Sequence, residues 1–232
     1  MNKLNEYWLS VDLSSPKGTL AIHKATPHGD LELIASKTLT ETGDHSESFI
    51  PKLELTLKEN RLSLSQIHRF ITSSGPGSFT GLRVAFASLK ALAYGRKSPI
   101  DVLSGSEARA LRWLKNQNPM THDEIQVLTY ITADRFVAAQ FKIDANNSYS
   151  FIEDKSYSDG SFLASGRSIA VLLDDRVART SVPANPSILI ASQPLHAEML
   201  GEALLKASTR KTYQSVSDWI QLTPNYFGST RF

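Results

Sequence analysis

The sequence predicts an α/β fold, because of the order of its segments and one glycine-rich turn. Three strand-like segments come first, then a helix, a strand and a second helix, and a smaller set of similar character follows. Mixed strands and helices in this order are typical of α/β domains. The run Gly75-Pro76-Gly77 joins a buried strand to a long helix and predicts a tight turn there. With 232 residues, 41% of them hydrophobic, the chain can form one large domain or two small ones.

The first half of the chain divides into elements by hydrophobic period and by turn residues. Alternation and β-propensity predict strands at 7–11, 19–24 and 31–36, and Pro16-Lys17-Gly18 turns the first strand into the second. A helix is then predicted from about His45 to Glu59, because apolar residues recur there at helical spacing. The strand before the glycine-rich turn follows this helix.

The helix after the glycine-rich turn, roughly Ser78 to Gly95, is apolar on nearly every side. One stripe at helical spacing comprises Phe79, Leu82, Phe86, Leu89 and Ala93. The opposite side is also apolar and mostly small, and it comprises Val84, Ala87, Ala91 and Tyr94. A helix of this kind is expected to be buried on nearly all sides. Either the domain or a second chain should therefore cover the small-residue face.

The second half of the chain gives weaker signals. Ile125–Thr132 and Phe136–Ile143 alternate like two strands joined by the turn Ala133-Asp134-Arg135. Buried strands are predicted further on, and an amphipathic helix is predicted at about His196–Ala207. No internal repeat is visible, although Asp12 and Asp134 each end the first strand of a half.

The composition excludes several classes of protein. A net charge of +2 gives no strong electrostatic signal for nucleic acid or membrane. The chain has no cysteine, which excludes disulfides, thiolate catalysis and cysteine metal sites. Its first residues lack the apolar core of a signal peptide, and no apolar run reaches the roughly 18 residues that span a bilayer. We therefore expect a soluble, cytoplasmic protein.

Several motifs resemble the TsaB family, also called YeaZ. Gly75 through Arg83 match the family's signature loop residue for residue, between a strand and a long helix. His45-Ser46 matches a His and a hydroxylated residue that precede the family's first long helix. Pro224 and Tyr226 match the family's tail motif, whereas Gly228 stands where Arg is usual. The resemblance is specific in the first half, patchy from 125 to 145 and weak beyond, except at the tail.

The resemblance implies a two-lobed actin-like ATPase (ribonuclease H-like) fold, with mixed sheets flanked by helices. We assign residues 1–110 to an N-terminal lobe that carries the glycine loop and the partner-binding helices. Residues 111–232 are assigned to a smaller C-terminal lobe.

A second resemblance concerns phosphate binding. A strand that ends in Asp-x-Ser-Ser resembles the first phosphate motif of the actin-like ATPases, and Asp134 lies at the kind of turn that holds the second phosphate-site Asp. The resemblance therefore implies a vestigial nucleotide- or anion-binding site formed by Asp12, Ser14, Ser15, Gly75, Gly77 and Asp134. Two alternatives stay open. The residues near Asp12 are also ordinary turn-formers, and the glycines can simply shape the turn, since the loop lacks the Lys of a Walker A motif.

The sister family TsaD is catalytic and carries an H-x-x-x-H metal motif after the corresponding short strand. Leu103–Arg109 contains no His, and none of the six histidines of the chain forms an i, i+4 pair. We therefore predict no metal site and no catalytic residue. No cofactor is expected, with ATP possible only at an interface with partners.

The resemblance implies a non-catalytic subunit of the complex that forms threonylcarbamoyladenosine in tRNA, next to the anticodon. It would pair with a TsaD-like catalytic subunit, a TsaE-like ATPase would join them, and any contact with tRNA is indirect or unknown. The predicted partner interface comprises Val84, Ala87, Ala91, Tyr94, Leu53 and Leu57, and a homodimer could use the same helices. The alternatives are a stand-alone actin-like ATPase, kinase or peptidase-type enzyme, and an unrelated α/β interaction module.

Overall fold

The structure is a computed structural model in which two compact units can be distinguished. It describes residues 6–40, 44–116, 122–132, 135–144, 149–157, 169–174, 176, 188–207 and 214–216. Within these, the first unit contains residues 6–105 and 196–216, and the second contains residues 106–195.

The strands are β1 (Glu6–Asp12), β2 (Thr19–Ala25), β3 (Leu31–Thr38), β4 (Ile67–Ser73), β5 (Ile100–Leu103), β6 (Glu124–Thr132), β7 (Arg135–Ile143), β8 (Tyr149–Tyr157), β9 (Ile169–Leu173), β10 (Ile188–Ser192) and β11 (Gln214–Val216). The helices are α1 (His45–Glu59), α2 (Phe79–Tyr94), α3 (Gly105–Lys115) and α4 (Ala197–Ala207). A short 3-10 helix at Leu64–Gln66 precedes β4.

The first unit is built on a six-stranded mixed sheet in the order β11-β5-β4-β1-β2-β3. Strands β1, β4 and β5 run parallel, whereas β1, β2 and β3 form an antiparallel meander. Because side chains alternate along a strand, the sheet has two distinct faces. Leu9 and Val11 join Phe49 of α1 and Leu89 of α2 in one hydrophobic core. This arrangement agrees with the mixed strands and helices predicted for the first half.

Helix α4 packs against the first sheet, although it comes late in the chain. It contacts β1 and β2, and Thr19 Oγ1 accepts a hydrogen bond of 2.9 Å from the Ala197 backbone N–H. Its Gly201 lies so close to His23 that an added Cβ would approach the imidazole ring to 2.6 Å. The division of the chain at residue 110 therefore differs from the structure, in which α4 and β11 group with the first unit.

The second unit contains a five-stranded mixed sheet in the order β10-β9-β6-β7-β8. Strands β6, β9 and β10 are parallel, and β6, β7 and β8 form an antiparallel meander. Its core includes Trp113 of α3, Val127 of β6 and Phe141 of β7. The two strands predicted at 125–143 are present, while the turn residue Asp134 lies outside the described residues. No helix in the described part of the chain is long and apolar enough to cross a membrane.

Candidate functional site

The turn after β1 is held by its own polar groups. Asp12 ends the strand and is fully buried, and its Oδ1 accepts a hydrogen bond of 3.1 Å from the Ser14 backbone N–H. This is the local bond by which Asp side chains form turns. The Ser15 carbonyl lies 2.9 Å from Nε2 of His45, the first residue of α1. Asp12 and Ser14, two of the predicted phosphate-site residues, are thus bonded to each other within the turn, and the third, Ser15, contacts α1.

The glycine-rich loop after β4 is fixed by hydrogen bonds on both sides. Gly75 has a φ of 103°, in the region that favours glycine, and its N–H donates to Ser73 Oγ at 3.0 Å. The Gly75 carbonyl accepts from the Gly105 N–H at 2.9 Å, which ties the loop to the start of α3. Ser78 caps α2, since its Oγ accepts from the Gly81 N–H at 3.2 Å. The helix therefore begins with a side-chain cap directly after the glycine-rich turn.

The turn after β1 and the glycine-rich loop are packed backbone against backbone. The Ser78 N–H donates to the Ser14 carbonyl at 2.8 Å. A Cβ added to Gly77 would lie 2.4 Å from Ser14 Cβ, and one added to Gly81 would lie 1.8 Å from the Leu13 carbonyl oxygen. The structure therefore brings the predicted residues Ser14 and Gly77 together, but the chain itself fills the space between them. This geometry favours the structural interpretation of the glycines over a phosphate cradle at that contact.

His45 links α1 to the turn after β1. Its side chain is buried, and burial lowers its pKa, an effect that the Ser15 carbonyl and Asp44 partly oppose. A Cβ on Gly18, which has a φ of 54°, would lie 2.7 Å from His45 Nδ1. The ring is therefore enclosed by the turn, and His45 has a structural role at the start of α1.

The small-residue face of α2 is exposed in this structure. Ala87 and Ala91 are exposed and Val84 is half-buried, while Tyr94 is 72% exposed. The residues that α2 buries are Gly81, Leu82, Ala85, Phe86, Leu89 and Ala93. The first unit covers this inner set but leaves the small-residue face open. Three of the predicted interface residues, Ala87, Ala91 and Tyr94, thus lie on one uncovered strip of α2, while Val84 also packs against the core of the first unit.

The other two predicted interface residues do not lie on the surface, so their assignment to the interface is wrong. Leu53 and Leu57 are 2% and 7% exposed and belong to the core of the first unit. They point inward because they lie on the face of α1 that includes Phe49. Residues that face outward on this helix include Leu55, which is 49% exposed. Phe79, placed in the buried stripe of α2 from its spacing, is instead 50% exposed.

Sequence reasoning missed Arg109 of α3. The residue is 2% exposed, and its guanidinium donates to the carbonyls of Gln193, Leu128 and Leu172 and to Thr129 Oγ1. Leu128 and Thr129 lie in the middle of β6, Leu172 lies near the end of β9, and Gln193 directly follows β10. A buried Arg is stable only when its donors are satisfied, so Arg109 has a structural role. A charged residue on a predicted amphipathic helix gives no local sign of such burial.

No group of three or more His, Cys, Asp or Glu side chains in the described ranges is arranged to hold a metal ion. The tail residues Pro224 and Tyr226 lie outside these ranges.

Residues 32–123 match the family model described as "TsaD: tRNA N6-adenosine threonylcarbamoyltransferase". Among curated proteins, the tRNA threonylcarbamoyladenosine biosynthesis protein TsaB of Buchnera aphidicola is 38% identical over 56 residues, which is 24% of this chain and 25% of that protein. TsaB of Haemophilus influenzae is 28% identical over 102 residues, covering 44% of this chain and 41% of that protein. The matches thus span less than half the length of these curated relatives.

Solved structures resemble the chain over nearly its whole length. YeaZ from Pseudomonas aeruginosa has a TM-score of 0.73 at 18% identity, covering 96% of this chain and 100% of that one. A second structure, of an uncharacterized protein with similarity to peptidase YEAZ from the same organism, has a TM-score of 0.74 at 18% identity, covering 96% of this chain and 99% of that one. These likenesses confirm the predicted actin-like, ribonuclease H-like α/β fold.

Proposed function

Because the chain is a relative of the TsaB (YeaZ) proteins of tRNA threonylcarbamoyladenosine biosynthesis, we propose that it acts as the non-catalytic subunit of the modifying complex. It pairs with a TsaD-like catalytic subunit and keeps that subunit active, and a TsaE-like ATPase joins the pair. The modified base is the adenosine next to the anticodon. This chain supplies a docking surface rather than reacting groups.

The observation that carries this proposal is the uncovered strip on α2. Ala87 and Ala91 are exposed, and they lie four residues apart on one side of the helix, where a partner helix can approach closely. The first unit already buries the other side of α2 around Phe86 and Leu89. A helix with two apolar sides, one of them unused, supports a role in protein association.

A further support is the internal use of the residues that resemble a phosphate site. Ser14 and Gly77 are in contact with each other, and Asp12 Oδ1 bonds to its own turn. A P-loop would instead turn its backbone N–H groups toward a nucleotide. The chain also lacks the H-x-x-x-H sequence that the TsaD family carries.

Replacing Ala87 with Glu tests the docking surface. The variant should fold normally and lose its complex with the host's own TsaD-like protein, because a carboxylate would be buried without a partner in the interface. Complex mass is measured by light scattering, and folding by circular dichroism. Ser150→Glu, at an exposed position on β8 of the second unit, is the control and should pair normally.

A contrasting variant on the same helix is Ala85→Glu. Ala85 is 0% exposed, so this change should unfold the first unit, whereas Ala87→Glu should not. If Ala87→Glu folds and still forms the complex with unchanged affinity, the docking surface lies elsewhere and the proposal fails.

A turnover assay tests the alternative that the chain is an enzyme in its own right. The purified chain should neither hydrolyse ATP nor modify tRNA without its partners. ATP hydrolysis that persists through purification and disappears in Asp12→Asn would establish an enzyme in its own right.

A further inference from the structure

The segment that contains α2 has an unusual charge distribution. Residues 60–100 contain no Asp or Glu, and their basic residues are Arg61, Arg69, Arg83, Lys90, Arg96 and Lys97. The whole chain is nearly balanced, with 25 basic and 23 acidic residues. Outside this segment the acidic residues therefore outnumber the basic ones, and the segment that contains α2 carries a net positive charge.

Not all of these cations are available to a partner. Arg69 is used internally, since its Nη1 lies 2.7 Å from Oδ2 of the buried Asp101 and its guanidinium lies over the Trp8 ring. Arg96 donates to the carbonyl of Ser65 and so joins the two turns that follow α1 and α2. These two residues stabilise the first unit.

Arg83 is different, because it is exposed on the same strip as the small residues. Its guanidinium lies 5.2 Å from the centre of the Phe79 ring, and Phe79 is 50% exposed. No carboxylate pairs with Arg83 in the described part of the chain. Arg83 and Ala87 lie four residues apart along the helix, so they lie on one side of it. The uncovered strip thus has a cation one turn before Ala87.

We propose that the surface of the partner protein that covers α2 carries a carboxylate placed to meet Arg83 beside the contact with Ala87. This inference rests on the proposed function and adds the chemistry of the partner. Covering Arg83 with an apolar or basic surface would desolvate an unpaired guanidinium, which is strongly unfavourable. A carboxylate can instead accept two hydrogen bonds from it, and the Phe79 ring holds the guanidinium plane in place for that contact.

A protein fits this strip better than RNA does. A phosphate backbone needs cations but gains little from exposed alanines, whereas a helix packs closely on them. A second copy of this chain would bring the same carboxylate-free segment to the interface, and α2 against α2 would place like charges together. The charge distribution therefore favours a heterologous, acidic protein surface.

The test measures affinity for the host's own TsaD-like protein at about 0.1 M and about 1 M salt, where the Debye length is roughly 10 Å and 3 Å. Arg83→Glu should weaken binding at least about tenfold in low salt, and the loss should shrink in high salt, since charges near an interface act through screened electrostatics. Arg83→Gln should bind more weakly than the native chain and more tightly than Arg83→Glu. Arg61→Glu is the control, because Arg61 is exposed in the same segment but lies beyond α1; it should bind normally.

The outcomes separate this inference from the proposed function. If Ala87→Glu abolishes the complex but Arg83→Glu binds normally at both salt concentrations, the surface is correct and the carboxylate pairing is wrong. If neither change affects the complex, both proposals fail. If Arg83→Glu affects only a tRNA gel shift, or only self-association of the chain, the partner class is wrong.

Discussion

The close contact between Gly81 and the Leu13 carbonyl makes a quantitative prediction. In Gly81→Ala the new Cβ would start 1.8 Å from that oxygen. An ordinary contact needs about 3.4 Å, so the turn and the helix must separate by roughly 1.6 Å. Overpacking of this kind costs about 1–3 kcal/mol or more. The separation also strains the bond from the Ser78 N–H to the Ser14 carbonyl, which is worth about 1 kcal/mol.

One term opposes this loss, because alanine is favoured over glycine within a helix by about 1 kcal/mol. The net loss in free energy of unfolding should be about 1–3 kcal/mol. Urea denaturation followed by circular dichroism measures it. Gly95→Ala is the matched control: Gly95 has a helical backbone with a φ of −63°, and no atom lies within 4 Å of its added Cβ. This variant should be neutral or more stable by a few tenths of a kcal/mol to about 1 kcal/mol.

If Gly81→Ala is as stable as the native chain to within about 0.5 kcal/mol, the backbone contact between the turn and the glycine-rich loop is absent in solution. The structural interpretation of the glycines would then be wrong. A change in stability equal to that of Gly95→Ala would lead to the same conclusion, because it would reflect the substitution type and not the contact.

Two further predictions concern buried polar groups. His23 lies under α4, and burial lowers its pKa to about 4, against a smaller opposing effect of Glu202. In the unfolded chain its pKa is about 6.5, so the unfolded chain binds the proton first. The free energy of unfolding should therefore fall as the pH drops from 6.5 to 4. The loss should reach about 3 kcal/mol, and urea denaturation across this pH range measures it. If His23→Leu shows the full decline as well, His23 is not its cause. Arg109→Met should destabilise the second unit by about 3–5 kcal/mol, because it removes the buried donor that the carbonyls of Leu128, Leu172 and Gln193 share. Hydrogen exchange should show the loss in β6, β9 and β10, and unchanged protection there would refute the role of Arg109.

Much of the fold could be predicted from the sequence because its signals are local. Period-2 alternation identified β1, and the helical spacing of apolar residues identified α1. The capping of α2 by Ser78 also follows from neighbouring residues alone. The placement of α4 on the first sheet could not be predicted in this way, since its contact with Thr19 joins residues 178 positions apart.

The candidate site was predictable only in part. Spacing correctly placed Ala87 and Ala91 on one side of α2, opposite Leu89. It could not show which side of α1 faces the core, and Leu53 and Leu57 were therefore assigned to a surface that they do not reach. A stripe of apolar residues shows that one side is covered but not what covers it.

The sequence by itself determined the class of fold, the resemblance of the glycine-rich loop to the TsaB signature loop, and the two apolar sides of α2. These depend on residue type, local spacing and a nine-residue match. Only the tertiary structure decided that Leu13 fills the space beside Gly81, that Arg109 donates to acceptors in or next to three strands, and that Arg83 stays on an open surface. Such contacts arise where distant segments meet, and their energies depend on burial and distance, which no local pattern encodes.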